Sequence, residues 1–81
     1  MYKIQINSVI LDEIEPKRLY NTKEIFNLTC ISDYVLIHKI KKGDLHAIRR
    51  KKHRYYRILG SELIRFINES GLFDIINYGI E

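Results

Sequence analysis

The stretch that decides the fold runs from residue 21 to residue 43 and reads NTKEIFNLTCISDYVLIHKIKKG. It opens on Asn21, a residue type that caps helices, and Glu24 follows three residues later. This spacing is typical of a capping box, in which the Glu24 carboxylate also accepts a hydrogen bond from the amide of Asn21. The pattern predicts a short helix over roughly residues 22–29, and residues 29–31 then form a turn.

A second helix start lies directly after that turn. Ser32 can cap the helix, and the carboxylate of Asp33 favours its positive end. The helix is expected to run to about Lys42, because Gly43 suits the left-handed position after a last turn. Spacings of three and four divide the helix into an inward apolar face and an outward polar face. The inward face carries Leu36 and Ile40, and the outward face carries Tyr34, His38 and Lys41, flanked by Ile37.

The residues after Gly43 read as a basic hairpin followed by a helix. A strand is expected from Leu45 to Arg50, then a turn, and a second strand from Arg54 to Ile58. Ser61 would then cap a third helix over roughly residues 62–69. The apolar stripe of that helix consists of Leu63, Phe66 and Ile67.

Positive charge is concentrated in the same region. Nine of the fourteen Lys and Arg residues lie between Lys39 and Arg57, opposed there only by Asp44, while the rest of the chain has five Lys and Arg against nine Asp and Glu. Like charges repel, so a polyanion would relieve that repulsion and bind with release of counterions. The alternative interpretation of this cluster of positive charge is a solvated face or a disordered basic loop with no polyanion partner. A membrane surface is the less favoured polyanion, because it requires a long amphipathic helix.

The two flanks of the central region, residues 2–11 and 72–80, are apolar enough to add to a small core. Residues 2–11 alternate in part and predict a short half-buried strand, followed by an acidic connector that ends at Pro16. Proline bars a continuous helix there and could open a helical turn at residues 17–19. Residues 72–78 are ambiguous between helix and strand. The 81 residues make one small domain, organised as an N-terminal strand and connector (1–19), a central unit (20–69) and an extension (70–81) that packs on the core or self-associates.

Four segments carry a family likeness in this order along the chain. Residues 24–32 (EIFNLTCIS) resemble the first helix and turn of MerR-like domains, and residues 40–49 (IKKGDLHAIR) resemble the excisionase branch of that family. Residues 56–58 and 61–67 are similar to its junction between wing and last helix. The likeness covers roughly residues 20–69. It implies a mostly α-helical winged helix-turn-helix with a small β-hairpin wing, to which the N-terminus would add an extra short strand.

The sequence departs from the family pattern at several positions. Cys30 stands where the turn usually has Gly, and we expect it to be an inert core residue. Phe26 stands where the family usually has the smaller Ala, so a different separation of the two helices is expected. Val35 replaces a frequent Thr, which would remove one phosphate contact, and His46 replaces Pro. Residues 50–53 contain no Gly, so the wing turn is expected to be longer than two residues.

The resemblance implies binding to double-stranded DNA. The helix over residues 33–42 would lie in the major groove, and the basic hairpin would enter the adjacent minor groove or contact phosphates only. The expected contacts of the recognition helix are Asp33, Tyr34, Ile37, His38, Lys41 and Lys42. The expected wing contacts are Arg49, Arg50, Lys51, Lys52, His53 and Arg54, and phosphate contacts are expected from Asn21, Thr22, Ser32, Lys39 and Tyr55. For Tyr34 and His38, ordinary helix surface is an equally good interpretation.

Family members act as recombination directionality factors of phages and mobile elements, or as small transcription regulators. The sequence thus predicts an excisionase-like factor. A transcriptional repressor or plasmid-partition-type binder is one alternative, and a protein-interaction module that uses both flanks is another. The expected partner is duplex DNA, with an integrase or further copies on tandem sites as additional candidates.

The same residues argue against other functional classes. We expect no enzyme activity and no cofactor, membrane or small-molecule partner. The three histidines and one cysteine lack the spacing of a zinc site, so no metal is expected. No signal peptide is visible and one cysteine suits a reducing compartment, which together predict a cytoplasmic location.

Overall fold

The computed structural model describes residues 3–49 and 56–76, and these residues form four helices and four short strands. In chain order the elements are β1 (Ile4–Asn7), α1 (Ser8–Glu13), β2 (Leu19–Asn21), α2 (Thr22–Thr29), α3 (Asp33–Lys42), β3 (Arg57–Leu59), α4 (Gly60–Glu69) and β4 (Phe73–Ile76). β1 pairs with β4 in parallel, and β2 pairs with β3 antiparallel. The result is a small α/β fold in which helices predominate.

The two central helices have the bounds that the sequence predicts. The capping box of α2 is complete: the Glu24 amide lies 2.8 Å from Asn21 Oδ1, and the Asn21 amide lies 3.1 Å from Glu24 Oε1. Ser32 caps α3 by accepting a hydrogen bond from the amide of Val35 at 3.3 Å. Gly43 follows α3 in the left-handed conformation, with a φ of 86°. Local sequence therefore sets both ends of this helix pair.

Thr29 holds the turn between α2 and α3. Its hydroxyl donates to the carbonyl of Ile25 at 2.7 Å and accepts from the amide of Ile31 at 3.2 Å. The side chain is buried, and Ile31 beside it packs into the core with no exposed surface. One side chain thus ties the last turn of α2 to the first buried residue that follows it.

One expectation for the helix pair is wrong. Cys30 is exposed rather than part of the core, because it ends α2 in the left-handed conformation with a φ of 62°. Glycine adopts that conformation most easily. Phe26 is 48% exposed, so about half of its side chain lies at the surface of α2.

In the basic segment after α3, the described residues form one antiparallel bridge in place of the regular pair of strands expected for a hairpin. Ile48 and Arg57 form an antiparallel bridge with N–H···O distances of 2.7 and 2.8 Å. The strand expected from Leu45 to Arg50 is wrong in extent, because residues 45–47 do not have strand conformation. β3 begins at Arg57, and the expected turn lies outside the described residues.

The strand that pairs with β3 has no local signal in the sequence. A helical turn was expected at residues 17–19. Its last residue is wrong, because Leu19 belongs to β2 and pairs with Leu59. Tyr20 is 2% exposed, and its hydroxyl accepts a hydrogen bond from the amide of Glu15 at 2.9 Å. β2 therefore contributes Tyr20 to the core beside the central helices.

The N-terminus of α4 is capped by the connector and not by its own side chains. The expected Ser61 cap is wrong: α4 begins at Gly60, and no side chain caps it. Instead, the amides of Gly60 and Ser61 donate to the carbonyls of Arg18 at 2.8 Å and Pro16 at 2.9 Å. A Cβ atom at Gly60 would lie 1.9 Å from the carbonyl oxygen of Glu15, so only glycine permits this approach.

The flanks join the same core as the central helices. The expected strand over residues 2–11 is too long, because a helix, α1, begins at Ser8 under the cap of Asn7. The ambiguous C-terminal stretch contains a strand, β4. The core consists of Ile6, Ile14, Tyr20, Ile25, Ile31, Leu36, Leu45, Ile58, Leu63, Phe66, Ile67 and Phe73.

Gly60→Ala should lower the free energy of unfolding by at least about 3 kcal/mol, because its methyl group would overlap backbone atoms that cannot rotate away. Urea unfolding followed by circular dichroism measures this. Gly71→Ala is the control, since Gly71 has a φ of 74° and open space around it. It should cost only about 1–2 kcal/mol of backbone strain. A Gly60→Ala protein as stable as Gly71→Ala would contradict the close approach.

Thr29→Val should lower the free energy of unfolding by about 1–3 kcal/mol, because it keeps the shape of the side chain and removes both hydrogen bonds. The buried amide of Ile31 would then lose its acceptor. Thr22→Val makes the same change at the start of the same helix and should shift stability by less than about 0.5 kcal/mol. Equal unfolding midpoints for the two variants in urea would show that Thr29 does not hold the turn.

Candidate nucleic-acid interface

The outward face of α3 presents polar and aromatic side chains to solvent. Tyr34 is 79% exposed, and His38 and Lys41 are exposed as well, whereas Leu36 on the inward face has no exposed surface. The rings of Tyr34 and His38 stack, with centroids 6.3 Å apart and planes 19° apart. Two flat groups that can form hydrogen bonds are therefore held side by side, one helical turn apart.

A groove of about 660 Å³, here called the front groove, opens where the N-termini of α2 and α3 and the strand β3 come together. Its lining residues are Asn21, Thr22, Lys23, Phe26, Ser32, Asp33, Tyr34 and Arg57. Three predicted phosphate contacts and two predicted recognition-helix contacts thus share one concave surface. Helix N-termini carry partial positive charge and unsatisfied amides, so this end of the groove favours an anion.

Other predicted contacts lie away from the front groove. Lys39 is half-buried and lines a second groove of about 340 Å³, here called the side groove, together with Ile4 and Leu72 of the flanks. Lys42 is exposed in the last turn of α3, and Ile37 is half-buried. Tyr34 and His38 border the side groove as well, so the outward face of α3 forms a ridge beside it.

The basic segment is described only in part. The Arg49 guanidinium lies over the ring of Tyr56, with its Cζ 5.3 Å from the ring centroid, and its Nη1 is 3.5 Å from the Tyr56 hydroxyl. The remaining predicted wing and phosphate contacts in this segment lie outside the described residues. They are Arg50, Lys51, Lys52, His53, Arg54 and Tyr55.

Three lining residues of the front groove were missed by the sequence analysis: Lys23, Phe26 and Arg57. Helical spacing could have found Lys23 and Phe26, because both lie on the side of α2 marked by Thr22. Strand alternation separates Arg57 from its buried neighbour Ile58 and so marks Arg57 as outward. The missing information was the position of β3 beside the helix pair, which depends on the non-local pairing with β2.

A carboxylate on α4 fixes the start of the basic segment. Glu62 Oε2 accepts a hydrogen bond from the amide of His46 at 2.8 Å, and both Glu62 oxygens accept from Arg65 at 2.7 Å. Arg65 Nη2 also donates to the carbonyl of Asp44 at 3.0 Å. Proline at position 46 would lack the amide that Glu62 binds. His46 is exposed and does not have strand conformation, although the strand expected from Leu45 to Arg50 includes it.

These contacts shift the pKa values of both partners. The Arg65 guanidinium, by hydrogen bonding, and the His46 amide hold the pKa of Glu62 below its usual range, although partial burial opposes them. In turn, hydrogen bonding to Glu62 raises the pKa of Arg65. Glu62 therefore stays ionised and keeps residues 44–46 attached to α4 across the neutral range.

Residues 3–49 and 56–76 contain neither a cluster of metal ligands nor a helix that could span a membrane. Within these ranges, no three His, Cys, Asp or Glu side chains come together in a way that could hold a metal ion. The helices of this part of the chain are too short and too polar to cross a bilayer.

Comparison with known proteins yields no family assignment. No protein-family model matches the chain. Searches of curated proteins and of solved structures also find no significant match.

Glu62→Gln should destabilise the protein near pH 7 by more than it does near pH 3. Since the folded-state pKa of Glu62 is depressed, its contribution is present above the unfolded pKa of about 4.3 and is lost as the pH falls through the folded value. Urea unfolding of wild type and variant at both pH values measures the difference. Glu69→Gln is the control, because Glu69 meets Arg65 at 3.6 Å on the exposed side of α4. It should change stability by less than about 0.5 kcal/mol at either pH. A Glu62→Gln effect that is independent of pH would exclude the ionised carboxylate as its cause.

Proposed function

We propose that this chain is a small sequence-specific binder of double-stranded DNA, built as a winged helix-turn-helix. In this proposal α2 and α3 form the helix-turn-helix, α3 is the recognition helix, and the basic segment that follows Arg49 is the wing. The observation that carries the proposal is the front groove, where the outward face of α3 begins beside two helix N-termini and Arg57 of β3.

The shape of α3 supports docking in the major groove. A helix of ten residues is about 15 Å long, and only the major groove of B-DNA is wide enough to admit it. Its exposed aromatic and basic side chains lie on the face turned away from the core. Tyr34 at the N-terminal end and His38 one turn later would reach base edges, as N-terminal residues of recognition helices do.

The charge distribution supports the same partner. Lys41 and Lys42 are exposed at the C-terminal end of α3, and Lys23 and Arg57 line the front groove. Cations in the last turn also interact favourably with the helix dipole, which accounts for the two α3 lysines without any partner. That explanation does not extend to Lys23 in the first turn of α2, where a cation faces the positive end of a helix. An anionic partner would offset this unfavourable placement.

Within DNA-binding proteins, we propose the role of a recombination directionality factor of a phage or mobile element. This choice rests on the resemblance to excisionases described above, and a small transcriptional repressor or partition-type binder is the alternative. Footprinting on the flanking DNA of the element distinguishes them. Protected direct repeats near an attachment site would favour excision with an integrase, and a palindrome over a promoter would favour repression. The interaction-module alternative is weaker, because Ile6 and Phe73 of the flanks are buried in the core.

His38→Ala should weaken binding to the footprinted site by at least about fivefold and binding to random duplex by less than twofold, because a base-edge contact contributes about 1–3 kcal/mol of discrimination. Fluorescence anisotropy at one fixed salt concentration measures both. His46→Ala is the matched control, since His46 is exposed and contacts Glu62 through its backbone amide. No duplex binding by the wild type at low salt would overturn the proposed function. An equal loss on both duplexes would overturn only the base-reading role of His38.

A further inference from the structure

Phe26 is a large apolar side chain that the core does not use. On the same helix, Ile25 is fully buried and Thr29 nearly so, whereas Phe26 remains 48% exposed. Burial of a phenylalanine contributes roughly 1.5–3 kcal/mol, and the fold forgoes much of this gain at position 26. The side chain lines the front groove, one helical turn after Thr22 and Lys23. Its position therefore points to an occupant of that groove.

The chemistry of the front groove restricts the occupant. Lys23 and Arg57 are cationic and line it together with the N-termini of α2 and α3, while Asp33 is its acidic residue. The aromatic rings of Phe26 and Tyr34 supply the apolar part of the surface. A complementary partner must be anionic at its rim and apolar where it meets Phe26. The major-groove side of duplex DNA fits this description, with phosphates at the edge and one apolar group among the base edges, the C5-methyl group of thymine.

We propose that Phe26 is a specificity-determining residue that contacts the C5-methyl group of a thymine in the bound duplex. This inference rests on the proposed function and adds a residue of α2 to the reading surface of α3. The position of Phe26 beside the N-terminal end of α3 places that thymine at the end of the site read by Tyr34. Cytosine carries hydrogen at C5 and the purines offer polar atoms there, so thymine alone provides the apolar contact.

The test removes the methyl group from the DNA and the phenyl group from the protein. The duplex bound most tightly in a selection from random DNA is prepared with each thymine replaced in turn by deoxyuridine, which differs only by the C5-methyl group. Wild type should bind about fourfold more weakly when the contacted thymine is replaced, which corresponds to one buried methyl group. Phe26→Ala should bind the thymine and deoxyuridine duplexes equally.

Two controls distinguish loss of the methyl contact from a general effect of truncating a side chain and from misfolding of the variant. Val9→Ala truncates another side chain that is 48% exposed but lies on α1, and it should keep the full wild-type sensitivity to deoxyuridine. Circular dichroism melting checks that Phe26→Ala folds. Sensitivity of Phe26→Ala equal to that of wild type, or no sensitive thymine in wild type, would overturn the inference and leave the proposed function intact. Failure of the selection to yield any bound duplex would overturn both.

Discussion

The close approach of the connector to the start of α4 is the constraint on which the other contacts depend. Gly60 has no Cβ, so the carbonyls of Pro16 and Arg18 can accept hydrogen bonds from the first amides of α4. The same contact aligns β2 beside β3, and β2 leads without a break into α2. The backbone contact at Gly60 therefore places β3, which carries Arg57, next to α2, which carries Phe26.

An ion pair also joins the connector to the helix pair. Arg18 Nη2 lies 2.6 Å from Glu24 Oε2, and its guanidinium lies over the ring of Tyr20, 4.9 Å from the centroid. Glu24 also completes the cap of α2, so one carboxylate serves both the helix start and the connector. This attraction raises the pKa of Arg18. The exposed pair contributes little stability, but it compensates the charge of Arg18, which therefore adds little to the basic surface.

Sequence reasoning succeeds here where the determining interactions are local. The bounds of α2 and α3 are predicted correctly because the residues that cap each helix lie within three positions of its start or directly after its end. It fails where a distant segment provides the partner. The cap of α4 comes from residues more than forty positions earlier, so the nearby Ser61 was a misleading signal. Cys30 was misplaced because apolar character predicts burial, whereas the left-handed turn exposes it.

The residues of the front groove and the residues of the core are different sets, yet three groove residues are direct chain neighbours of core residues. Phe26 follows the buried Ile25, Ser32 follows the buried Ile31, and Arg57 precedes the buried Ile58. Phe26, Ser32 and Arg57 are thus each held in place by a neighbour that the core fixes, because adjacent positions point to different sides of a helix or strand. Substitutions in the groove can then change its surface without removing a core contact. A chain of 81 residues has a thin core and little stability to lose, so this separation lets the front groove vary while the fold persists.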